Sequence, residues 1–305
     1  KSIFQLYMKI YDCFMFFDEE MLLDLRLNIM DKYVDKFVIT EATYTHNGKP
    51  KKLIFDINKF SKFKNKIIYI IVDRQPPDLY KIYDSDNDKK DTRGQKLVLN
   101  GYKRDNYQRQ MAHQTLDNIE SDDWILINDI DEIPNLKNID FKKINYKFVI
   151  FKQQIFYYKF NLLYPSVPWF GTKACKKKNF ISPQWLRDVK HNKYPVWRLD
   201  TIFSKKKYNN ILHINDGGWH FTNIKSAEDI EKKLLNYTHH YEFEQSGLEV
   251  QDLKRKIDEK KILYDHNVDQ SKYKWGSDKM LSKIQFSKMP DYLRENIEKY
   301  KQWLD

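Results

Sequence analysis

The sequence predicts an α/β fold, a mixed sheet flanked by helices with a helical appendage at its C-terminal end. Three observations predict it. In the first half of the 305 residues, short β-type runs alternate with stretches of helical period, the mark of βαβ units. From about residue 226 the pattern turns helical, which sets the expected division: a body over 1–225 and a helical extension over 226–305 packed on it. Hydrophobic residues are 41% of the chain, enough for a core and too many for a disordered tail protein.

The elements follow in order. Lys9–Phe17 reads as a strand. Asp18 then offers an N-cap, Glu19 and Glu20 suit a first helical turn, and Met21, Leu22, Leu25 and Ile29 keep the helical period. Val34–Thr40 is the second strand. Residues 41–51 are polar, carry Gly48 and Pro50, and read as a loop. Ile67–Val72 is the third strand, and 73–93 is a long polar loop with Pro76 and Pro77. Asp105–Ile119 reads as a helix. Trp124–Asn128 is a short apolar strand that runs into Asp129-Ile130-Asp131-Glu132 and stops at Pro134. Further strand signals lie at Phe148–Phe160, Phe170–Cys175, Ile211–Ile214 and Trp219–Thr222. Ser226-Ala-Glu-Asp229 resembles a capping box, and later helices fall near Leu248–Leu263 and Tyr292–Leu304.

Composition narrows the function classes. Lys and Arg number 54 against 43 Asp and Glu, a net charge of +11. That balance suits an anionic partner: nucleic acid, an acidic membrane surface or a nucleotide-sugar. Two cysteines exclude a disulfide framework, and Cys13, inside an apolar run, reads as a buried thiol. No stretch approaches the roughly 18 apolar residues of a spanning helix, so no membrane span is expected; the chain reads as soluble, with no compartment assigned.

The sharpest chemical feature is the strand ending in Asp129-x-Asp131. An apolar strand delivers two carboxylates to its C-terminal edge, where α/β sheets keep their ligands. In extended chain, residues i and i+2 point the same way, so the pair suits Mg²⁺ or Mn²⁺ with sites left for a diphosphate. An acidic turn with no ligand is the plainer alternative. In Gly217-Gly218-Trp219-His220, the glycines permit close approach to a ligand, Trp219 suits a sugar face and His220 suits a metal or a structural hydrogen bond. The loop Glu41-Ala-Thr-Tyr-Thr-His46-Asn-Gly48-Lys49-Pro-Lys51 mixes hydroxyls, an imidazole and cations in a way that suits a nucleotide, and also an ordinary loop. Arg109, on the helix before the D-x-D strand, suits a diphosphate or a surface salt bridge.

Six blocks occur in order: Tyr11-Asp-Cys-Phe14; Leu22-Leu-Asp-Leu-Arg26-Leu; Val34-Asp-Lys-Phe-Val-Ile-Thr-Glu41-Ala-Thr; Thr45-His46-x-Gly48-Lys-Pro-Lys51; Asp129-x-Asp-Glu-Ile-Pro134; and Gly218-Trp-His-Phe221. Together they resemble glycosyltransferase family 17 over about residues 9–245. The resemblance implies a GT-A-type, Rossmann-like nucleotide-sugar-binding fold and a UDP-sugar donor, UDP-N-acetylglucosamine in the best-known members. It also implies a glycan or glycoprotein acceptor, a divalent metal at the D-x-D and transfer with inversion. Carried over by position, Asp129 and Asp131 are the metal motif, with His220 as a later ligand. Glu41, His46, Lys49, Arg109 and Trp219 are expected on the donor side.

Inverting transfer needs a base for the acceptor hydroxyl. Between the D-x-D and His220 the acidic residues are few. Asp188, in Pro183-Gln-Trp-Leu-Arg187-Asp188, is the first choice and Asp216 the second; a solvated helix residue is the bland reading of Asp188. Two rival classes suit the same residues less well. A metal-dependent phosphohydrolase or nuclease would want more acidic ligands than one pair and a His. A basic nucleic-acid-binding module would want a continuous basic stripe with stacking aromatics, whereas Lys is dispersed here among acids, so no nucleic-acid partner is expected.

Overall fold

β1 (Ile10–Phe16), β2 (Lys36–Ala42) and β4 (Trp124–Ile127) are largely buried because a parallel sheet is covered on both faces, whereas β3 (Ile67–Val72), at the sheet edge, is only partly covered. The computed structural model describes residues 8–87, 92–195, 197–198, 200–265, 274–275 and 277–305. After β1 comes α1 (Glu20–Met30), after β3 come α2 (Thr92–Gln110) and α3 (His113–Leu116), and β4 leads through a turn into β5 (Glu132–Pro134). There follow β6 (Phe148–Phe151), β7 (Gln153–Tyr157), β8 (Leu162–Trp169), β9 (Lys173–Lys176), α4 (Pro183–Asp188), α5 (Asp200–Phe203), β10 (Ile211–Ile214) and β11 (Gly218–Thr222). The last elements are α6 (Ala227–Asn236), α7 (His240–Ser246), α8 (Val250–Asp258), β12 (Ser282–Lys283) and α9 (Asp291–Glu295).

The larger sheet has the order β10-β6-β9-β4-β1-β2-β3. β4, β1, β2 and β3 are mutually parallel, and β9 runs antiparallel to both β4 and β6. Because β2 and β3 lie to one side of β1 and β4 to the other, the strand order reverses between β1 and β4. Such a switch point opens a crevice at the carboxyl ends of the strands. The smaller sheet is β12-β8-β7-β11-β5. Its member β5 is the direct continuation of β4, so residues 128–131 are the crossing from one sheet to the other.

Side-chain alternation sorts the core. Ile10, Phe14 and Phe16 of β1 and Trp124 and Leu126 of β4 join one cluster with α1; Tyr11, Cys13, Ile125 and Ile127 face the other way, with Ala112, Leu116 and α4. Cys13 and Cys175 are both buried and free, as a thiol in an apolar run should be. A third cluster joins Ile155, Tyr157 and Leu162 of the smaller sheet to Ile230, Leu234 and Leu253 of α6 and α8. The chain end then returns to the first half: β12 pairs with β8, and Tyr300 Oη donates to Asp24 Oδ2 at 2.8 Å. Among the described residues no helix is long and apolar enough to cross a membrane.

Several expected boundaries move. α2 begins at Thr92, not Asp105, because Gly94, Asn100 and Gly101 sit inside the helix as apparent breakers. Gly101 has a packing reason: a Cβ there would come within 2.9 Å of the Thr238 carbonyl, so the small residue lets the 238 segment cross α2 closely. The N-cap position is Glu19, not Asp18, whose carboxylate is paired instead with Lys225. Phe148–Phe160 divides at Lys152 into strands of two different sheets, and β8, with Pro165 and Pro168, carries no strand signal although it is paired. Ser226 does cap α6, accepting from the Asp229 N–H at 3.1 Å.

Candidate active site

The D-x-D lies in a turn rather than in extended chain: the Glu132 N–H donates to the Asp129 carbonyl at 3.0 Å. The two aspartates therefore diverge, against the expectation that i and i+2 point together. The turn is held from beneath by Arg26 of α1, which is fully buried. Its guanidinium grips Asp12 of β1 at 2.6 and 2.9 Å, and Nη1 donates to the carbonyls of Glu132 at 2.7 Å and of Asp129 and Ile130 at 3.3 Å. Asn128 adds a bond to Asp12 at 2.6 Å. Four backbone and side-chain groups of the crossing are thus tied to one buried ion pair, and breaking such a pair costs about 3–5 kcal/mol.

Asp129 faces two arginines. Arg109 Nη2 reaches its Oδ1 at 3.1 Å and Arg187 Nη2 its Oδ2 at 2.7 Å. Burial pushes the Asp129 carboxyl up, but Arg187 and Arg109 outweigh it and hold it below the usual carboxylate range. Arg187, from α4, also clamps the fully buried Glu132 at 2.6 and 2.8 Å and donates to the Gly171 carbonyl at 2.6 Å. The Trp169 indole N–H completes Glu132. Gly171 is required here, since a Cβ would stand 2.2 Å from the Glu132 carboxylate. Arg109 is steadied by Asp105 at 2.9 Å and by Gln184 at 2.6 Å.

Asp131 faces the other way. The antiparallel register of β11 on β5 sets His220 opposite Glu132, which brings His220 Nε2 to 3.6 Å from Asp131 Oδ1. Lys233 of α6 stands 3.7 Å from Asp131 Oδ2. Burial opposes the charge of Asp131, yet His220 and Lys233 prevail and hold it far below the usual range. Lys233 is in turn held above its ordinary value: burial lowers it, but Asp131, Glu19 and Asp18 more than compensate. The His220 ring stacks on Trp169, centroids 4.7 Å apart, and its Nδ1 is buried with no partner among the described residues. The donor pair for a divalent cation here would be Asp131 Oδ1 and His220 Nε2, which face each other at 3.6 Å, with Nδ1 on the other side of the ring. Asp129 would join them only by releasing an arginine, and among the described residues no three carboxylate, imidazole or thiol groups converge as a ready metal cluster.

Asp129, Asp131, Arg109, Arg187, Lys233, Trp169 and His220 border one cavity of about 650 Å³ at the switch point, between Phe16 and Phe17 at the end of β1 and the Asp129–Asp131 turn after β4. Of the residues expected from the sequence, His46, Arg109, Asp129, Asp131, Asp188 and His220 are on its wall. Glu41, Lys49, Trp219 and Asp216 are not. Glu41 is fully buried and committed to Lys51, to Tyr69 Oη at 2.7 Å and to the N–H groups of Ile54 and Phe55 at 2.9 and 3.1 Å, so it fastens the loop after β2. Lys49 is exposed. Trp219 precedes His220 in a strand and so points to the opposite face, its indole N–H on the Lys288 carbonyl at 3.2 Å. Asp216 is on an exposed turn, bonded to Asn135 at 3.0 Å. Gly218, at φ +113°, approaches backbone rather than ligand: a Cβ would lie 2.2 Å from the Ile133 carbonyl.

A family profile described as Glycosyltransferase family 17 matches residues 2–305. The chain belongs to glycosyltransferase family 17. It is 29% identical over 131 residues to the human protein named beta-1,4-mannosyl-glycoprotein 4-beta-N-acetylglucosaminyltransferase, and equally to the rat protein of that name. The mouse protein is 28% identical over the same length. The match takes in 40% of this chain and 21% of each relative, so the chain spans about a fifth of the length of the curated relatives it matches.

Four residues of this candidate site carry no assigned role in the sequence. Arg187 had a signal: Gln184, Arg187 and Asp188 are spaced i, i+3, i+4 on one helix, and all three line the cavity. Arg26 had a weaker one, a lone cation in the apolar stripe of α1. Lys233 and Trp169 had none, because their place depends on how α6 and the smaller sheet dock against the turn.

Proposed function

We propose that the chain transfers a sugar, N-acetylglucosamine first among the donors, from a UDP-sugar to a hydroxyl of a glycan or glycoprotein acceptor, with inversion and with Mn²⁺ or Mg²⁺ as cofactor. The fold reading joined to this is a GT-A-type body over 1–225, with 226–305 as an extension that supplies Lys233. The observation that carries the proposal is the convergence of Arg109, Arg187 and Lys233 around the Asp129–Asp131 turn on one cavity wall. Three buried or half-buried cations at the carboxyl edge of a parallel sheet suit a diphosphate, and they are set in place before any charge develops.

In this reading Arg109, Arg187 and Lys233 hold the diphosphate and stabilise the negative charge that grows on it as the sugar departs. Asp131 and His220 would hold the metal, which when bound draws electrons from the leaving phosphate oxygen. Trp169, stacked on His220, closes that corner against water. Asp188 is the base. Its Oδ1 is fixed by Gln184 at 2.9 Å and its Oδ2 by Lys206 at 2.6 Å, and its carboxylate borders the cavity. The acceptor oxygen bonds the anomeric carbon, the bond from that carbon to the phosphate oxygen breaks, and the acceptor proton passes to Asp188. Asp216, off the cavity wall, drops behind it.

Product analysis tests the reading. The chain is incubated with Mn²⁺, a panel of UDP-sugars and a glycan acceptor array. Acceptor-dependent release of UDP from UDP-N-acetylglucosamine, with a β-linked product by NMR, is expected. No transfer from any UDP-sugar, or an α-linked product, would refute it.

A further inference from the structure

Residues 190–207 hold six basic side chains and one acid. Within this segment two large hydrophobic side chains stand in solvent: Trp197 is 79% exposed and Phe203 86%, the most exposed large hydrophobics among the described residues. Described residues of the same segment are tied to one another. Arg198 and Lys207 pack on the Tyr194 ring at 5.3 and 5.9 Å and share Asp200 at 2.7 Å each. Lys190, Lys193 and Lys205 are exposed and have no ion pair among the described residues. The backbone beneath is fixed: the Trp185 indole and the Tyr208 hydroxyl donate to the Lys205 carbonyl at 2.6 and 2.9 Å, and the Lys190 N–H donates to the Lys206 carbonyl at 2.7 Å.

An exposed indole and phenyl ring among uncommitted lysines has the chemistry of a membrane interface. Indole and phenyl groups favour the headgroup boundary, and lysines favour an anionic leaflet. We propose that this segment docks the protein peripherally on an anionic lipid bilayer, with Trp197 and Phe203 entering the interface and Lys190, Lys193 and Lys205 on the headgroups. A second copy of the chain is disfavoured as the occupant, because it would set this basic segment against its own like on a chain already at +11. A neutral glycan would use the rings but leave the cations without a role. The segment adjoins the cavity through Lys206, which pairs with Asp188 on its wall. The proposal does not depend on the sugar transferred.

Vesicle co-sedimentation at low and high salt tests it, with phosphatidylcholine alone and phosphatidylcholine mixed with phosphatidylglycerol. The wild type is expected to sediment only with the mixed vesicles and to be released by salt. The W197S/F203S variant should lose at least about tenfold in partition, the interface contribution of two large rings. The K190Q/K193Q/K205Q variant should lose roughly a hundredfold, at about fivefold per lysine. Both variants remove exposed groups, so their melting midpoints should equal the wild type's. Failure to bind mixed vesicles, equal binding by W197S/F203S, or concentration-dependent dimers abolished by that variant would each overturn the proposal.

Discussion

Arg26→Met is the perturbation that reaches deepest into the site without touching the cavity. It leaves Asp12, fully buried, with Asn128 as its remaining side-chain donor, and takes the donor away from the carbonyls of Asp129, Ile130 and Glu132. Removing one partner of a buried charge pair costs about 3–5 kcal/mol. At about 2–4 °C per kcal/mol for a chain of this order, the melting midpoint should fall on the order of 10 °C. The double variant Asp12→Leu/Arg26→Met removes the stranded charge and should recover part of the loss. Recovery stays incomplete because the Ile130 and Glu132 carbonyls lose the guanidinium, at about 1–3 kcal/mol for a buried unsatisfied group, while the Asp129 carbonyl keeps the Glu132 N–H. Scanning calorimetry gives the midpoints, and a UDP titration on the double variant reads whether the turn has lost its shape; weakened binding is expected. An Arg26→Met midpoint equal to the wild type's, or a double variant less stable than the single, would refute the claim that this pair holds the D-x-D turn.

Lys173 gives a pH prediction. Burial, then Arg187, push its amine down to about 7 while Nζ donates to the Val189 carbonyl at 2.6 Å. Between that value and about 10.4 the unfolded chain holds a proton that the folded one has released, so stability rises with pH by up to about 1.4 kcal/mol per unit. Urea melts across this range should show the rise, and Lys173→Met should flatten it; a slope retained in that variant would exclude Lys173 as its source. Asp188→Asn should keep UDP binding in calorimetry and lose turnover by a factor on the order of 10² or more; turnover at the wild-type rate would end its candidacy as base. Trp169→Ala should weaken UDP binding and turnover, since it strips a donor from Glu132 and the stacking partner from His220, whereas Trp219→Ala should leave both nearly unchanged. The reverse ranking would contradict the placement of the two rings.

The parts of the fold legible in the sequence are those written in local pattern. β1, β3 and β4 are apolar runs bounded by polar loops, and Asp129-x-Asp131 stands out because it ends one of them. Ser226 announces α6 through a cap that forms within four residues. What failed to show depends on contacts far apart in the chain. Asp129 and Asp131 read as a matched pair until the turn sends one to arginines from α2 and α4 and the other to a histidine from β11 and a lysine from α6. Trp219 reads as a sugar-facing ring because it neighbours His220, but strand alternation turns it off the cavity wall, where Trp169 from β8 stands instead. Glu41 carried a family block yet serves the loop after β2, a role visible only when Ile54, Phe55 and Tyr69 fold back onto it.

If the turn between β4 and β5 and the cations around it seat a sugar nucleotide, UDP binds there and the binding depends on the turn's carboxylates. The most direct test is calorimetric titration of UDP in the presence of Mn²⁺ into the wild type and into Asp131→Asn, a change of charge with little change of shape. One site per chain is predicted for the wild type, with affinity lowered by at least about tenfold in the variant, or about 1.4 kcal/mol. Equal affinity in the two proteins, or no binding to the wild type, would contradict it.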